Sequence, residues 1–479
     1  MPRSSRRGFL KGVSAAAAAM AMRSNVGAWA EAAGAASPVK VWSTFRERRH
    51  AAGEPLTWKA AGDAASTAIM LDPAATRQSV LGFGAALTDA ACYVLSQMPA
   101  AERAALMREI FGANEMGLNV FRTTIGASDY SRTLYSYDES DTPDPEMKKF
   151  SIDHDKAYIL PVLREAREVN PELFLFSSPW SPPSWMKANH SMLGGAMRKT
   201  NFPAYAKYFE RFLEGYKAEG VAINAVTVQN EVDAEQEGNM PACVWAQEAE
   251  IEFVKDHLGP QLHKAGLDTK IWVVDHNYNL WGRALGELSD EKAYEYIDGI
   301  AWHGYVGEPT AMTRVHEAFP NRNAYWTEGG PDIKQPDYQT DYTKWAATFN
   351  GILNNWARSI TGWNIALDEK GNPNIGPFPC GGTVTVENGT HKVIRSGQYW
   401  AFAHFSKHVK RGAKVFATSG LGPDGVGGQV THAGFRNPDG SLVVVLANTG
   451  DQRRVQLVLG SKALEVELPA DSVQTLEWA

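Results

Sequence analysis

Eight times between about residue 80 and residue 370, a short apolar run gives way to a longer stretch with apolar residues three and four positions apart. The runs are SVLGFGAAL (79–87), NVFRTTIG (119–126), LFLFSSPW (173–180), AVTVQNE (225–231), IWVVDHN (271–277), GIAWHGY (299–305), AYWTEGG (324–330) and ITGWNIAL (360–367). Between them lie amphipathic helical candidates such as 157–169 and 204–220. Near-continuous apolar strands separated by helices belong to parallel sheets, which are covered on both faces. Eight such alternations predict an α/β fold with a closed (β/α)8 TIM barrel. The open, doubly wound alternative usually carries GxGxxG after its first strand, and GFGAALTD lacks that pattern.

The flanks have a different rhythm. Residues 411–478 read as short alternating strands, with NPDG at 437–440 as a hairpin turn. PVKVWSTF and STAIMLDP, within residues 38–72, supply further strands. The expectation is a barrel over 79–400 with a side β-sandwich built from both ends of the chain, 38–78 and 401–479. The start of the chain reads as processing signal. Arg6-Arg7 precede Gly8-Phe9-Leu10-Lys11 and an alanine-rich run, with a small-x-small site at Ala28-Trp29-Ala30. Residues 1–30 are therefore expected to be a twin-arginine export signal, with the mature protein periplasmic or secreted. No later stretch is long and apolar enough for stable membrane insertion. A formal net charge of −7 argues against a nucleic-acid partner, which requires a basic surface. Cys92, Cys243 and Cys380 are isolated and fit buried free thiols better than a zinc site.

The polar residues in these apolar strands collect at the carboxyl ends, which form the functional face of a parallel barrel. The second strand delivers Arg122 and, just beyond, Asp129; the third delivers Trp180; the fourth ends in Asn230 and Glu231. The fifth ends in Asp275-His276-Asn277, the sixth in His303 and Tyr305, the seventh in Glu328 and the eighth in Trp363-Asn364. Two carboxylates among amides, a histidine and aromatics match sugar chemistry, since glycoside hydrolysis needs one acid to protonate the leaving oxygen and one carboxylate to attack or activate water. Period-two alternation puts Ala301, His303 and Tyr305 on one face and Trp302 on the other, toward the helices. By the same parity Trp326 would lie inside the barrel, one layer below Glu328. Asn230 and Glu231 are consecutive, so the fourth strand must end or distort for both to face the axis.

Several stretches carry a resemblance to glycoside hydrolase family 30, most of all its glucosylceramidase-type branch: GFGAALTDAA (82–91), FRTTIGASDYS (121–131), SSPWSPPSWMK (177–187), TVQNEV (227–232), YWTEGG (325–330), GWNIAL (362–367) and AHFSKHVKRGA (403–413). The resemblance implies Glu231 as acid/base and Glu328 as nucleophile of a retaining β-glycosidase. It places Asp129, Trp180, Asn230, His303 and Trp363 on the substrate side, with Arg122 supporting the nucleophile. Val232 stands where the family usually has proline, Gly304 where a tryptophan often follows the histidine, and NPNIGPFPCGG (372–382) departs from the family's loop.

The expected substrate is a carbohydrate or glycolipid, a glucosylceramide-like β-glucoside first, with β-1,6-glucan and β-xylosides as alternatives. A catalytically silent carbohydrate-binding protein is the reading from a different class. A metal-dependent barrel hydrolase would want HxH near its first strand, and none is present. No cofactor and no metal are expected, because two carboxylates suffice for the chemistry.

Overall fold

The structure is a computed structural model that describes residues 38–62, 68–421 and 429–479. The expected export signal at residues 1–30 lies outside them. Eight parallel strands close into a barrel: β1 (Gly82–Ala86), β2 (Val120–Thr124), β3 (Phe174–Ser178), β4 (Ala225–Thr227), β5 (Lys270–Asn277), β6 (Ile297–His303), β7 (Asn323–Glu328) and β8 (Ala357–Asn364). Closure is made by β8 on β1, where Ser359 pairs with Gly82 and Thr361 with Gly84. The expected barrel is present strand for strand. The eighth strand starts earlier than its sequence suggests, and Ala366–Leu367 leave it for a small three-stranded sheet with Val384–Val386 and Val393–Arg395.

The floor of the barrel is apolar. Val120, Phe176, Ala225, Trp272, Ala301 and Tyr325 form one buried cluster on the axis, with Trp272 stacked on Tyr325 at 3.9 Å. Outside, helices such as Ile159–Val169 and Phe202–Ala218 bury one apolar stripe each, as their spacing predicts. Trp302 faces outward, beside Tyr278. Trp326 does not lie inside as expected. It joins the outer cluster, edge-on to Phe349 of the helix Tyr342–Asn354. A bulge is the reason: Trp302 pairs with Trp326 but His303 pairs with Glu328, so Thr327 is an extra residue and parity reverses across it.

The remaining strands form one ten-stranded order: Arg48–Ala52, Lys40–Phe45, Ser472–Trp478, Leu442–Asn448, Val430–Arg436, Lys414–Ser419, Ala68–Ser79, Arg453–Leu459, Lys462–Leu468 and Lys59–Ala60. Val41, Val444 and Leu476 from one run meet Leu457, Leu464 and Val466 from the other, which gives the side sandwich its core. Strands from both ends of the chain take part. Lys462–Leu468 is an addition to the sequence reading, although KALEVEL alternates apolar and polar residues. LVVVLAN (442–448) is apolar on both faces for a reason. Val444 and Leu446 fill the sandwich, while Val443, Val445 and Ala447 join the barrel's outer cluster. The helix Gly397–Ser406 lies between the layers, with Phe405 reaching Phe83 of β1 and Phe435 of the sandwich. Fully burying each such side chain stabilises the junction by about 1.5–3 kcal/mol. The three cysteines are free, and no helix among the described residues is long and apolar enough to cross a membrane.

The glycines of β1 are dictated by the neighbouring backbone. A Cβ on Gly84 would stand 1.8 Å from the carbonyl oxygen of Val120, whereas one on Gly282, in the helix Trp281–Ser289, would meet nothing within 4 Å. Gly84→Ala should therefore cost about 3 kcal/mol or more by overpacking. Gly282→Ala should be neutral or gain up to about 1 kcal/mol from helix propensity. Urea unfolding of both variants checks this, and equal losses would refute the close approach.

Candidate active site

Directly above the apolar floor sits a buried cation. Arg122 ends up fully buried near the carboxyl end of β2, its guanidinium 6.0 Å from the centre of the Phe176 ring below and 4.7 Å from that of Trp180. Every described bond it makes is to a site group. Nε donates to Ser178 Oγ at 3.1 Å, Nη2 to Asn230 Oδ1 and Asp275 Oδ2 at 2.7 Å each, and Nη1 to Glu328 Oε2. A planar fork of donors suits several fixed acceptors at once, where a lysine would offer one mobile point charge.

Asp275 gathers the other strands. Its Oδ2 also accepts from Ser178 and Thr227 hydroxyls at 2.8 and 2.7 Å, and Oδ1 from His303 Nε2 and Thr327 Oγ1 at 3.0 and 2.7 Å. Burial alone would raise this carboxyl, but Arg122, His303 and Thr327 hold it well below the usual carboxylate range. It reaches these partners because β5 bulges there: Ala301 pairs with Val274 but Trp302 with His276, leaving Asp275 as the extra residue. Val274 and Asp275 have φ of 73° and 42°, a conformation that costs about 1–3 kcal/mol per non-glycine residue. The Glu250 carboxylate fixes it by accepting from Val274 N at 3.2 Å.

β4 ends at Thr227, before the polar triplet, and Glu231 has φ of 53°. The strand does stop where two consecutive polar residues had to face the axis. Gln229 ties that end down, donating to the carbonyls of Trp180 and Asn230 at 2.7 and 2.8 Å, and Glu231 N donates to Asp275 O at 3.0 Å. The Glu231 carboxylate then lies between two imidazoles, with Oε1 3.2 Å from His303 Nδ1 and 3.4 Å from His276 Nδ1. Burial would raise Glu231, yet the two histidines more than offset that and hold it well below the usual range. His276 is opposed by burial but pushed up to about 9 by Asp233 and Glu231.

Glu328 is held differently. Its Oε2 takes Arg122 and its Oε1 accepts from the Tyr305 hydroxyl at 3.0 Å; His303 Nε2 lies 3.8 Å from Oε2. One carboxylate is thus fixed by a permanent cation and a phenol, the other by groups that exchange protons. Both open into a cavity of about 550 Å³, large enough for a small-molecule ligand. Asp129 lines it with a buried Oδ1 that has no hydrogen-bond partner, its acidity suppressed by burial and by the charges of Glu328 and Glu231. Trp180 and Trp363 form a wall, stacked on each other at 5.1 Å, so they shape the cavity and flank Arg122 rather than offering open faces. Tyr305 is half-exposed at the mouth, where Asn277 accepts from its backbone N at 2.9 Å.

The structure brings together all the expected residues: Arg122, Asp129, Trp180, Asn230, Glu231, His303, Tyr305, Glu328 and Trp363. It adds Asp275, His276, Asp233, Ser178 and Thr327. Asp275 and His276 carried the same strand-end signal as the others; the hydroxyls did not stand out from β-branched or small strand residues. The 372–382 loop closes the rim with Phe378, Pro379 and Cys380, because Tyr130 Oη donates to Phe378 O and accepts from Cys380 N, both at 2.8 Å.

Comparison with known proteins places these features in context. Residues 80–409 match the glycosyl hydrolase family 30 TIM-barrel domain, and residues 412–476 match the glycosyl hydrolase family 30 beta sandwich domain. An endo-1,6-beta-D-glucanase of Neurospora crassa is 35% identical over 78% of this chain and 80% of its own length. The lysosomal acid glucosylceramidase of Mus musculus is 28% identical over 86% and 83%. A solved endo-beta1,6-glucanase superposes with a TM-score of 0.82 at 30% identity, covering 92% of this chain and 99% of that one.

The buried charge network predicts a pH signature. The depressed Asp275 contributes stability that is fully present above its ordinary value of 3.8 and is lost as pH falls through its lower folded value. Asp275→Asn should cost about 3–5 kcal/mol at neutral pH, because it leaves Arg122 short of a partner. The gap between the two proteins should stay constant down to about pH 4 and narrow below it. Denaturant unfolding across pH measures this; a gap independent of pH would show that folding leaves the Asp275 carboxyl unshifted.

Proposed function

The chain belongs to glycosyl hydrolase family 30, and on that premise we propose that it cleaves β-1,6-linked glucans by a retaining mechanism with Glu231 as acid/base and Glu328 as nucleophile. Membership makes it an O-glycoside hydrolase with a carbohydrate substrate. The finer choice departs from the glucosylceramide-like substrate expected from sequence. The relative named as an endo-1,6-beta-D-glucanase shares more of its sequence with this chain than the glucosylceramidase does, which favours the glucan alternative. The export signal that the sequence leads us to expect at residues 1–30 would accord with a polymer met outside the cytoplasm.

The observation that carries the roles is the unequal setting of two carboxylates in one cavity. Glu328, bonded by Arg122 and Tyr305, is held in place and aimed, as a nucleophile must be. Glu231, between His303 and His276, sits where protons are exchanged. Glu328 attacks the anomeric carbon as Glu231, drawing on the proton of the adjacent His303 Nδ1, protonates the departing oxygen; Glu231 then takes a proton from the water that releases the sugar and returns it to His303. Asn230, fixed by Arg122, and Asp129, with its free oxygen, are placed to hold sugar hydroxyls. In a substrate complex the two carboxyl groups should stand about 5–5.5 Å apart.

Two measurements test this. The first compares kcat/KM on β-1,6-linked gluco-oligosaccharides with that on glucosylceramide and β-xylosides; a preference for either rival rejects the substrate. The second reads the roles. Glu231→Ala should lose about 10²–10⁴-fold on unactivated glycosides, spare activated aryl glycosides, and give a β-glycosyl azide when azide is added. Glu328→Gly should slow every substrate and give the α-azide. Products of reversed configuration would mean that the two roles are exchanged.

A further inference from the structure

His276 flanks Glu231 in the chemistry just described but touches no reacting atom, and its geometry is specific. The residue is 8% exposed, and its buried Nδ1, aimed at Glu231, has no hydrogen-bond partner. His303 presents its own Nδ1 to the same Glu231 oxygen. Charge-assisted hydrogen bonds ordinarily close to about 2.7–2.9 Å. These two gaps stay at 3.4 and 3.2 Å. A tetrahedral ion with bonds of about 2.0–2.1 Å separates its ligands by about 3.3 Å, which is the spacing of both histidine–glutamate pairs here.

The far side of each ring repeats the pattern. His276 Nε2 lies 2.7 Å from Asp233 Oδ1, and His303 Nε2 lies 3.0 Å from Asp275 Oδ1. A carboxylate behind each imidazole fixes the ring and raises its basicity toward a metal, the usual support for a metal-binding histidine. Two histidines and one glutamate form a donor set that zinc accepts in catalytic sites, with the fourth position left open. The three donor atoms lie within 4.8 Å of one another. Glu231, His276 and Asp233 all line the cavity, so an ion has a path in and its fourth position faces the space meant for sugar. Asp233, whose carboxyl His276 holds below its usual range, adds negative charge to that path.

We propose that Glu231, His276 and His303 bind a divalent transition-metal ion of the zinc type, and that the ion switches hydrolysis off by occupying the oxygen of Glu231 that transfers the proton. Binding expels any proton on the two Nδ1 atoms to solvent, while each Nε2–H stays on its carboxylate. The ion is an inhibitor, not a cofactor: the empty site leaves Glu231 free. The binding half stands on geometry alone, and the inhibitory half rests on the acid/base role proposed above.

The full-length chain, stripped with EDTA and dialysed, should hydrolyse at its full rate. Zn²⁺ alone, followed by calorimetry, should then bind one-to-one and abolish hydrolysis in parallel, with EDTA restoring it. Co²⁺ in its place should give the visible absorption of a tetrahedral site. His276→Gln should remove that absorption and weaken Zn²⁺ binding by about 100-fold; Asp233→Asn, half-exposed and outside the donor set, should weaken it by about 10–100-fold. Absence of one-to-one binding, or binding unchanged in both variants, overturns the site. Activity lost with EDTA and regained with Zn²⁺ overturns the inhibitory role. If β-1,6-glucan is not cleaved but the Co²⁺ absorption appears and depends on His276, the metal site stands and the substrate reading fails.

Discussion

A single guanidinium at the centre of a β-barrel sets the terms for everything around it. Arg122 is charged at any accessible pH and has no water to solvate it, so the protein must supply acceptors from several directions. It does so from β3 through Ser178, from the end of β4 through Asn230, from β5 through Asp275 and from β7 through Glu328. Asp275 extends the same net to Thr227, His303 and Thr327. Removing one partner leaves another buried charge uncompensated, which is why such networks are strongly destabilised by single losses. The polar layer that holds Glu328 therefore also fixes the relative height of the strands.

Much of this was legible in the sequence. Apolar strands interrupted by Arg122, Asn230, Glu231, His303 and Glu328 at their carboxyl ends admit few folds, and the polar exceptions point at the site. What escaped was local. Parity counting assumes a regular strand, and bulges at Asp275 and Thr327 break the count where the site is built. For that reason parity puts Trp326 inside. Nothing in a β-branched Val274 announces a positive φ; the conformation is imposed by Glu250 and by the bonds Asp275 gains. The rim was illegible for another reason: the 372–382 loop is seated by the hydroxyl of Tyr130, far away in the chain.

The sandwich depends on the barrel in a quieter way. Strands such as Leu442–Asn448 have no solvent face, since one set of side chains fills the sandwich and the alternate set covers the barrel's helices. A strand apolar on both sides would be an aggregation hazard if left uncovered. The sandwich is thus a layer of the enzyme's core, which explains why the ends of the chain are brought together beside it.

The two glutamates differ in how far their loss would spread. Glu328 is bonded to Arg122, whereas Glu231 makes its side-chain contacts with imidazoles and stands outside the guanidinium's reach. Drift away from hydrolysis consequently has an easy direction. Replacing Glu231 disturbs two imidazoles that each keep a second carboxylate partner, but replacing Glu328 strips a partner from the buried cation. Descendants of such a barrel that keep sugar binding without chemistry should carry the seventh-strand glutamate intact beside an altered fourth-strand residue, a relic preserved by the charge beneath it.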